Sequence, residues 1–168
     1  MAVNPQTFNE EVLVVMSCSN IETFNEITGR IFARLYEKFP VPQFVDAEHL
    51  IEGGKDAVLK WNDAGFQELT PEAKFALATI GWLGDAGYLS HKSIYETCYA
   101  DVVLTPQGLV LLNALPVSLE SSERSEPIGS RLVSAMKAGA GQALRSIANQ
   151  VLTEGVSMGI TRAIQHVS

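Results

Sequence analysis

The side chains that most often perform chemistry in proteins are scattered along this 168-residue chain without a catalytic or metal-binding spacing. The three histidines are His49, His91 and His166, and no two of them lie four residues apart as in a helical zinc site. The two cysteines, Cys18 and Cys98, form no CxxC motif and lie far from each other. The sequence therefore predicts no metal ion, no cofactor and no catalytic residue.

Three further features invite a chemical interpretation that their sequence context does not support. Cys98 has no neighbouring histidine or cluster of cations to lower its pKa, so we interpret it as a small packing residue. Gly139 and Gly141 lie inside a helical pattern, without a preceding strand or a following GKS or GKT, and so indicate a packing surface rather than a phosphate loop. Trp61 and Trp82 are interpreted as anchors of the core. The chain is predicted not to be an enzyme.

The composition is that of a folded protein with an acidic body and a mildly basic end. Hydrophobic residues make up 46% of the chain, which argues against disorder. Residues 1–126 carry eight Lys and Arg against eighteen Asp and Glu, whereas residues 127–168 carry four against one. An acidic body repels phosphate at long range, so general nucleic-acid binding by residues 1–126 is disfavoured.

The chain is predicted to be cytoplasmic rather than secreted or membrane-spanning. Its apolar runs are all shorter than the roughly 18 residues that a membrane-spanning helix needs. The start of the sequence lacks the basic region and the small-residue cleavage site of a signal peptide, and the cysteine spacing suggests no disulfide framework. These features favour a reducing compartment.

A long first helix is predicted over residues 19–39. Ser19 and Glu22 have the spacing of a capping box, and Pro40 ends the pattern. Apolar residues recur at helical spacing between these limits, at Ile21, Phe24, Ile27, Ile31, Leu35 and Phe39.

Two other segments leave alternatives open. Thr7 with Glu10 predicts a capping box that opens a helix through residue 16, whereas the run VLVV at residues 12–15 also suits a buried strand; we prefer the helix. Residues 55–69 contain Trp61 among turn-forming residues, which indicates a turn-rich connector or a short helix pinned by aromatic side chains.

Residues 70–115 are predicted to form a helix, a β-hairpin and a second helix. Thr70 is a favourable N-cap, and Pro71 occupies the first helical position, where its missing N–H is not needed. Residues 94–104 are rich in β-branched and aromatic residues, as strands are, with a break expected near Ala100 and Asp101. A second Thr-Pro pair at 105–106 then repeats the helix-start pattern.

The sequences GWLGDAGYL, VVLT and TPQGLVLL in this stretch resemble the second half of a winged helix-turn-helix domain of the MarR or PadR kind. In that family a helix ends in L..GYL, a wing follows, and LT..G..LL opens the next helix. The resemblance covers roughly residues 20–115. It implies an α+β, mainly helical fold with a β-hairpin wing and, as an activity, transcriptional regulation through DNA binding.

The helix that would contact DNA in such a domain has few of the polar and basic groups that this contact requires. Its least apolar stripe consists of Lys74, Ala78, Gly81 and Asp85, and residues 70–105 carry a net charge of −2. We therefore predict that this surface docks another protein helix, because Ala78 and Gly81 leave a shallow groove. The alternative is a transcriptional regulator that binds DNA as a dimer, through its first helix or its basic tail.

The composition changes after residue 116 and divides the chain into three predicted parts. Residues 1–116 form the winged-helix-like domain with an N-terminal extension, residues 117–127 a Ser- and Glu-rich linker, and residues 128–168 a long amphipathic helical tail. A helix continuous over residues 128–165 would be about 55 Å long at about 1.5 Å per residue, so it must bend or reach beyond its own body. We expect a break near residues 153–159, where two glycines lower helix propensity.

The apolar side of this tail needs cover, which its own domain, a second copy of the chain or a membrane surface can supply. We predict self-association. Small and apolar residues would form the contact: Met136, Gly139, Ala143, Leu144, Ile147, Val151, Gly155 and Gly159. The sequence thus favours a non-enzymatic protein-interaction and oligomerisation module, with DNA binding and membrane-surface association as the alternatives.

Overall fold

The structure is a computed structural model that describes residues 19–113 and 126–165, with side chains described up to residue 157. The helix or strand expected before Ser19 lies outside these ranges. So does nearly all of the linker expected at residues 117–127.

The described residues form a mainly helical α+β fold, as the sequence predicts. The α-helices are α1 (Asn20–Lys38), α2 (Pro71–Asp85), α3 (Pro106–Asn113), α4 (Ile128–Lys137) and α5 (Gly141–Gln165). The β-strands are β1 (Gln43–Asp46), β2 (Leu59–Trp61), β3 (Gln67–Leu69), β4 (Leu89–Ser90), β5 (Ser93–Ile94) and β6 (Cys98–Leu104). Two short 3₁₀ turns, Ala47–His49 and Gly54–Ala57, lie between β1 and β2.

The predicted starts of α1 and α2 are confirmed, and both follow from side-chain caps. The Ser19 hydroxyl accepts a hydrogen bond from the Glu22 backbone N–H at 3.3 Å, and the Glu22 carboxylate accepts one from the Ser19 N–H at 2.8 Å. At α2, the Thr70 hydroxyl accepts from the Ala73 N–H at 3.2 Å. Each cap satisfies backbone donors that the first turn of a helix cannot pair internally.

Strand β6 is the centre of a small antiparallel sheet, with β1 along one edge and β4 and β5 along the other. Sequence composition places a break near Ala100 and Asp101, yet β6 continues through both residues. The pairing register with β1 shifts at this point, and Asp101 takes a positive φ of 54°. The break is therefore a bulge inside one strand.

Residues 59–69 form a separate hairpin of β2 and β3, rather than the turn-rich connector or short helix expected from the sequence. Leu59 and Leu69 pack against a small cluster of buried residues at its base. Trp61 lies beyond this base and is 71% exposed, and Trp82 is 49% exposed. The interpretation of both tryptophans as core anchors is therefore wrong.

The C-terminal part consists of two helices instead of the single long one expected. Between α4 and α5, Gly139 adopts a left-handed φ of 64°, a conformation that commonly ends helices. The expected break at residues 153–159 is wrong, because α5 continues through them. A Cβ at Gly155 would collide with the Tyr88 side chain, so this glycine gives close packing and does not interrupt the helix.

Helices α4 and α5 pack on α1 and complete the core. This is one of the three arrangements that the sequence leaves open, the one in which the tail packs on its own domain. The main hydrophobic cluster accordingly joins residues from both sides of the predicted linker, including Ile31, Phe32, Leu35, Leu111, Ile128, Leu132, Leu144 and Val151.

Glycines allow these helices to approach closely. A Cβ at Gly29 of α1 would lie 3.0 Å from the Leu144 carbonyl oxygen of α5, and a Cβ at Gly129 of α4 would lie 2.5 Å from two carbons of the Tyr36 ring. The distance at Gly29 is tighter than most Cβ contacts, and the distance at Gly129 is shorter than a carbon atom tolerates. The glycines of the tail therefore contribute to packing within the chain.

We predict that Gly129→Ala destabilises the protein by about 1–3 kcal/mol, because the new methyl group must displace the Tyr36 ring. Helix propensity alone would change stability in the opposite direction, by at most about 1 kcal/mol. Urea unfolding monitored by circular dichroism measures the difference. Ser134→Ala, at an exposed position of the same helix, is the control and should stay within about 0.5 kcal/mol of the parent protein. A more stable Gly129→Ala variant would contradict the packing argument.

Candidate interaction surface

The four residues predicted to form an interaction stripe on α2 differ in how exposed they are. Lys74, Ala78 and Asp85 are exposed, whereas Gly81 is half-buried. A Cβ at Gly81 would lie 3.0 Å from the Tyr99 hydroxyl oxygen of β6. The space beside Gly81 is thus occupied by the protein's own sheet, and a partner helix would have to bind elsewhere on α2.

An exposed aromatic side chain that the sequence pattern assigns to the core lies on the outward side of α2. Trp82 follows Ala78 by four residues, so the two occupy neighbouring positions on the helix surface. The Trp82 ring packs edge-on against the Phe24 ring of α1, with a centroid distance of 5.1 Å and an interplanar angle of 88°. Ile21, one turn before Phe24, is 66% exposed. We call these four residues, Ile21, Phe24, Ala78 and Trp82, the aromatic patch.

The charges beside the aromatic patch are few and mostly negative. The exposed charged residues of α2 are Glu72, Lys74 and Asp85, one cation against two carboxylates. In the following hairpin, Lys92 and Glu96 are exposed and carry opposite charges. The surface is therefore apolar at its centre and weakly acidic around it.

A cavity of about 420 Å³ lies on another side of α1, where the first turns of α1 meet the start of α2. We call it the amino-terminal cavity. Its apolar wall comes from α1, from the loop after β1 and from α2: Ile27, Leu50, Ile51, Pro71 and Phe75. Asn20, Thr23, Glu26, Arg30, Glu52, Glu72 and Arg145 supply its polar groups.

Glu26 joins α1 to α5 at this cavity. Its carboxylate accepts a hydrogen bond from Arg30 at 2.6 Å and one from Arg145 Nε at 2.8 Å, and it forms an ion pair with Arg145 Nη2 at 2.7 Å. Arg30 also donates to the Leu50 carbonyl oxygen at 3.1 Å, so the cluster holds the loop after β1 as well. Burial acts to raise the pKa of Glu26, but the two arginines outweigh it, and the pKa lies below its ordinary value.

Cys98 and His91 show no sign of catalytic activation. Burial and the neighbouring Asp46 carboxylate raise the pKa of the Cys98 thiol, which therefore stays protonated at neutral pH. His91 lies against the Tyr99 ring at a centroid distance of 4.8 Å, and its Nδ1 is buried without a hydrogen-bond partner. Among residues 19–113 and 126–165, no three His, Cys, Asp or Glu side chains are grouped to hold a metal ion.

The predicted oligomer contacts are mostly used inside the chain. Leu144, Ile147 and Val151 are buried in the core, and Gly155 packs on Tyr88. Met136 and Ala143 pack partly buried against the same core, Gly139 is exposed between α4 and α5, and Gly159 lies where only the backbone is described. Packing within the chain accounts for most of the small-residue spacing, and self-association stays a prediction.

The helices of the described residues include none with the length and apolar character needed to cross a membrane. Comparison with known proteins gives no match: no family model fits the chain, and no curated protein or solved structure is significantly similar to it.

We predict that Glu26→Gln destabilises the protein more than Glu37→Gln, because it removes a partly buried negative charge that binds both Arg30 and Arg145. Glu37 is the matched control: it also joins α1 to the C-terminal helices, through Lys137 at 2.6 Å, but at an exposed position. Urea midpoints at pH 7 measure both effects.

The destabilisation caused by Glu26→Gln should also depend on pH. Since the pKa of Glu26 is lower in the folded protein, its stabilising contribution is complete above its ordinary pKa of 4.5 and is lost as the pH falls through the folded-state value. The difference in unfolding free energy between Glu26→Gln and the parent protein should therefore shrink below about pH 4.5. If this difference in unfolding free energy stayed constant from pH 7 to pH 3, the ionised Glu26 carboxylate would not be the source of the stabilisation.

Proposed function

We propose that the protein is a non-enzymatic interaction module built on a winged helix, and that its aromatic patch binds a helix of a partner protein. The observation that carries this proposal is the half-exposed Trp82 side chain, held against Phe24 on the outward side of α2. In a winged helix of the MarR or PadR kind, this helix would be the one that enters DNA.

The order of the elements supports the winged-helix part of the proposal. Helix α2 ends in the sequence GWLGDAGYL, the antiparallel strands β4, β5 and β6 follow, and α3 begins in TPQGLVLL. This is the order that the sequence resemblance implies, with the β4–β6 hairpin as the wing. Strand β1, which pairs with β6, is the fourth strand of this sheet.

The aromatic patch has the properties of a protein-binding hot spot. Tryptophan is among the residues that contribute most to binding when a partner covers them. The edge-on contact with Phe24 already restricts the Trp82 ring, so less side-chain entropy is lost on binding. Ile21 and Ala78 extend the apolar area along both helices, which suits the apolar side of an amphipathic helix.

The same surface is poorly suited to nucleic acid. Direct contact with bases is made by polar and basic side chains, and affinity depends on cations that neutralise phosphates. On α2 the exposed cation is Lys74, and Glu72 and Asp85 would each face the negative backbone. A tryptophan at the centre of the surface offers a single N–H donor.

We predict that the protein does not bind random duplex DNA tightly at moderate salt. Fluorescence anisotropy with a labelled duplex, measured from 50 to 200 mM salt, tests this directly; a phosphate-contacting protein would lose about 10³–10⁵ in affinity over that range. Tight binding with such a salt dependence would instead favour the transcriptional regulator.

We predict that Trp82→Ala weakens partner binding by about 10- to 30-fold, the effect expected for a central aromatic residue. Because the partner is unidentified, helical peptides selected from a display library against the parent protein serve as the probe. Trp61→Ala is the matched control, since Trp61 is also an exposed tryptophan but lies on the β2–β3 hairpin. Peptides that bind the parent and both variants equally, or that lose affinity only for Trp61→Ala, would place the interaction away from the aromatic patch.

A further inference from the structure

We propose that the amino-terminal cavity is the docking site for the apolar segment at residues 12–16 of the same chain, VLVVM. The cavity lies on a different side of α1 from the aromatic patch. The inference therefore goes beyond the proposed function and does not depend on it.

The chain enters α1 at the cavity. Asn20 and Thr23, in the first turn of α1, belong to its lining. The capping box holds Ser19 in an extended conformation, with φ −60° and ψ 153°, and so fixes the backbone where it joins the helix. Residue 16 is four residues before Asn20, a separation of at most about 14 Å, and residue 12 is within about 29 Å. The segment is thus tethered to residues that line the cavity.

The chemistry of the wall fits an apolar occupant. Ile27 and Leu50 form buried parts of it, and the half-buried Ile51 and Phe75 present apolar surface that lacks full cover. A volume of about 420 Å³ falls in the range of roughly 300–1,000 Å³ that binding pockets occupy. Five successive apolar residues, VLVVM, need such cover in water.

The polar groups of the cavity favour a segment of this chain over a small charged ligand. The Glu26 carboxylate is already bonded to Arg30 and Arg145, and Arg30 also donates to the Leu50 carbonyl oxygen. Glu52 and Glu72 add two further carboxylates to the lining, which repel anions. A tethered segment, by contrast, has an effective concentration in the millimolar range without any charge contact.

A spin label on the full chain tests the docking. Cys18→Ser and Cys98→Ser remove the native thiols, and Asn9→Cys places the label three residues before the segment. Paramagnetic broadening should be strong for the amide signals of Ile27, Ile51 and Phe75. It should be weak for Tyr36, which is sixteen residues from the start of α1. Absent or uniform broadening would overturn the proposal.

A matched pair of substitutions tests whether the apolar side chains of residues 12–16 cause the docking. Leu13→Asp in the labelled chain should abolish the selective broadening, because the carboxylate would lose its water against the apolar wall and would be repelled by Glu52 and Glu72. Gln6→Glu also adds a carboxylate but lies outside the segment, and it should leave the broadening unchanged. Equal effects of the two substitutions would contradict docking by residues 12–16.

A mixed sample identifies which chain supplies the segment. Isotope-labelled protein without a spin label is combined with spin-labelled protein that carries no isotope. Docking within one chain predicts no broadening in this mixture. Broadening at Ile51 and Phe75 would overturn the proposal in favour of exchange between two copies.

Discussion

The packing of α4 and α5 against α1 is the contact on which the rest of the structure depends. Helix α1 buries Ile31, Phe32 and Leu35, and the C-terminal helices cover them with Leu132 and Leu144 among others. Because α1 also contacts α2 and β6, the same helix positions the aromatic patch and one wall of the amino-terminal cavity. Both candidate surfaces are therefore held by residues that lie after the predicted linker.

The parts of the fold that could be predicted from the sequence are those decided by a few neighbouring residues. The cap at Ser19 and Glu22 and the start at Thr70 and Pro71 involve hydrogen bonds over three positions, so the residue types alone identify them. The strand-rich composition before residue 105 likewise indicates a hairpin. The helix caps and the β-rich composition can be recognised without knowing which other elements pack against these segments.

The features that could not be predicted are decided by distant contacts. Helix propensity treats Gly139 and Gly155 alike, yet Gly139 ends α4, whereas Gly155 stays helical against Tyr88. The apolar side of the tail was recognisable, but its periodicity is the same whether α1, a second copy or a membrane covers it. Trp82 is assigned to the core from the sequence because it lies in an almost uniformly apolar run and outside the least apolar stripe of its helix.

The central place of α1 has a consequence for how the protein folds during synthesis. Glu26 and its partner Arg145 are 119 residues apart in the sequence, and the apolar contacts of α1 with α5 span similar separations. Contacts of such long range slow folding, because a large loop must close before they form. The ribosome synthesises α1 long before α5, so the apolar side of α1 stays exposed to water until α5 can pack on it. The apolar side of α1 is therefore most open to aggregation in the interval before α5 emerges.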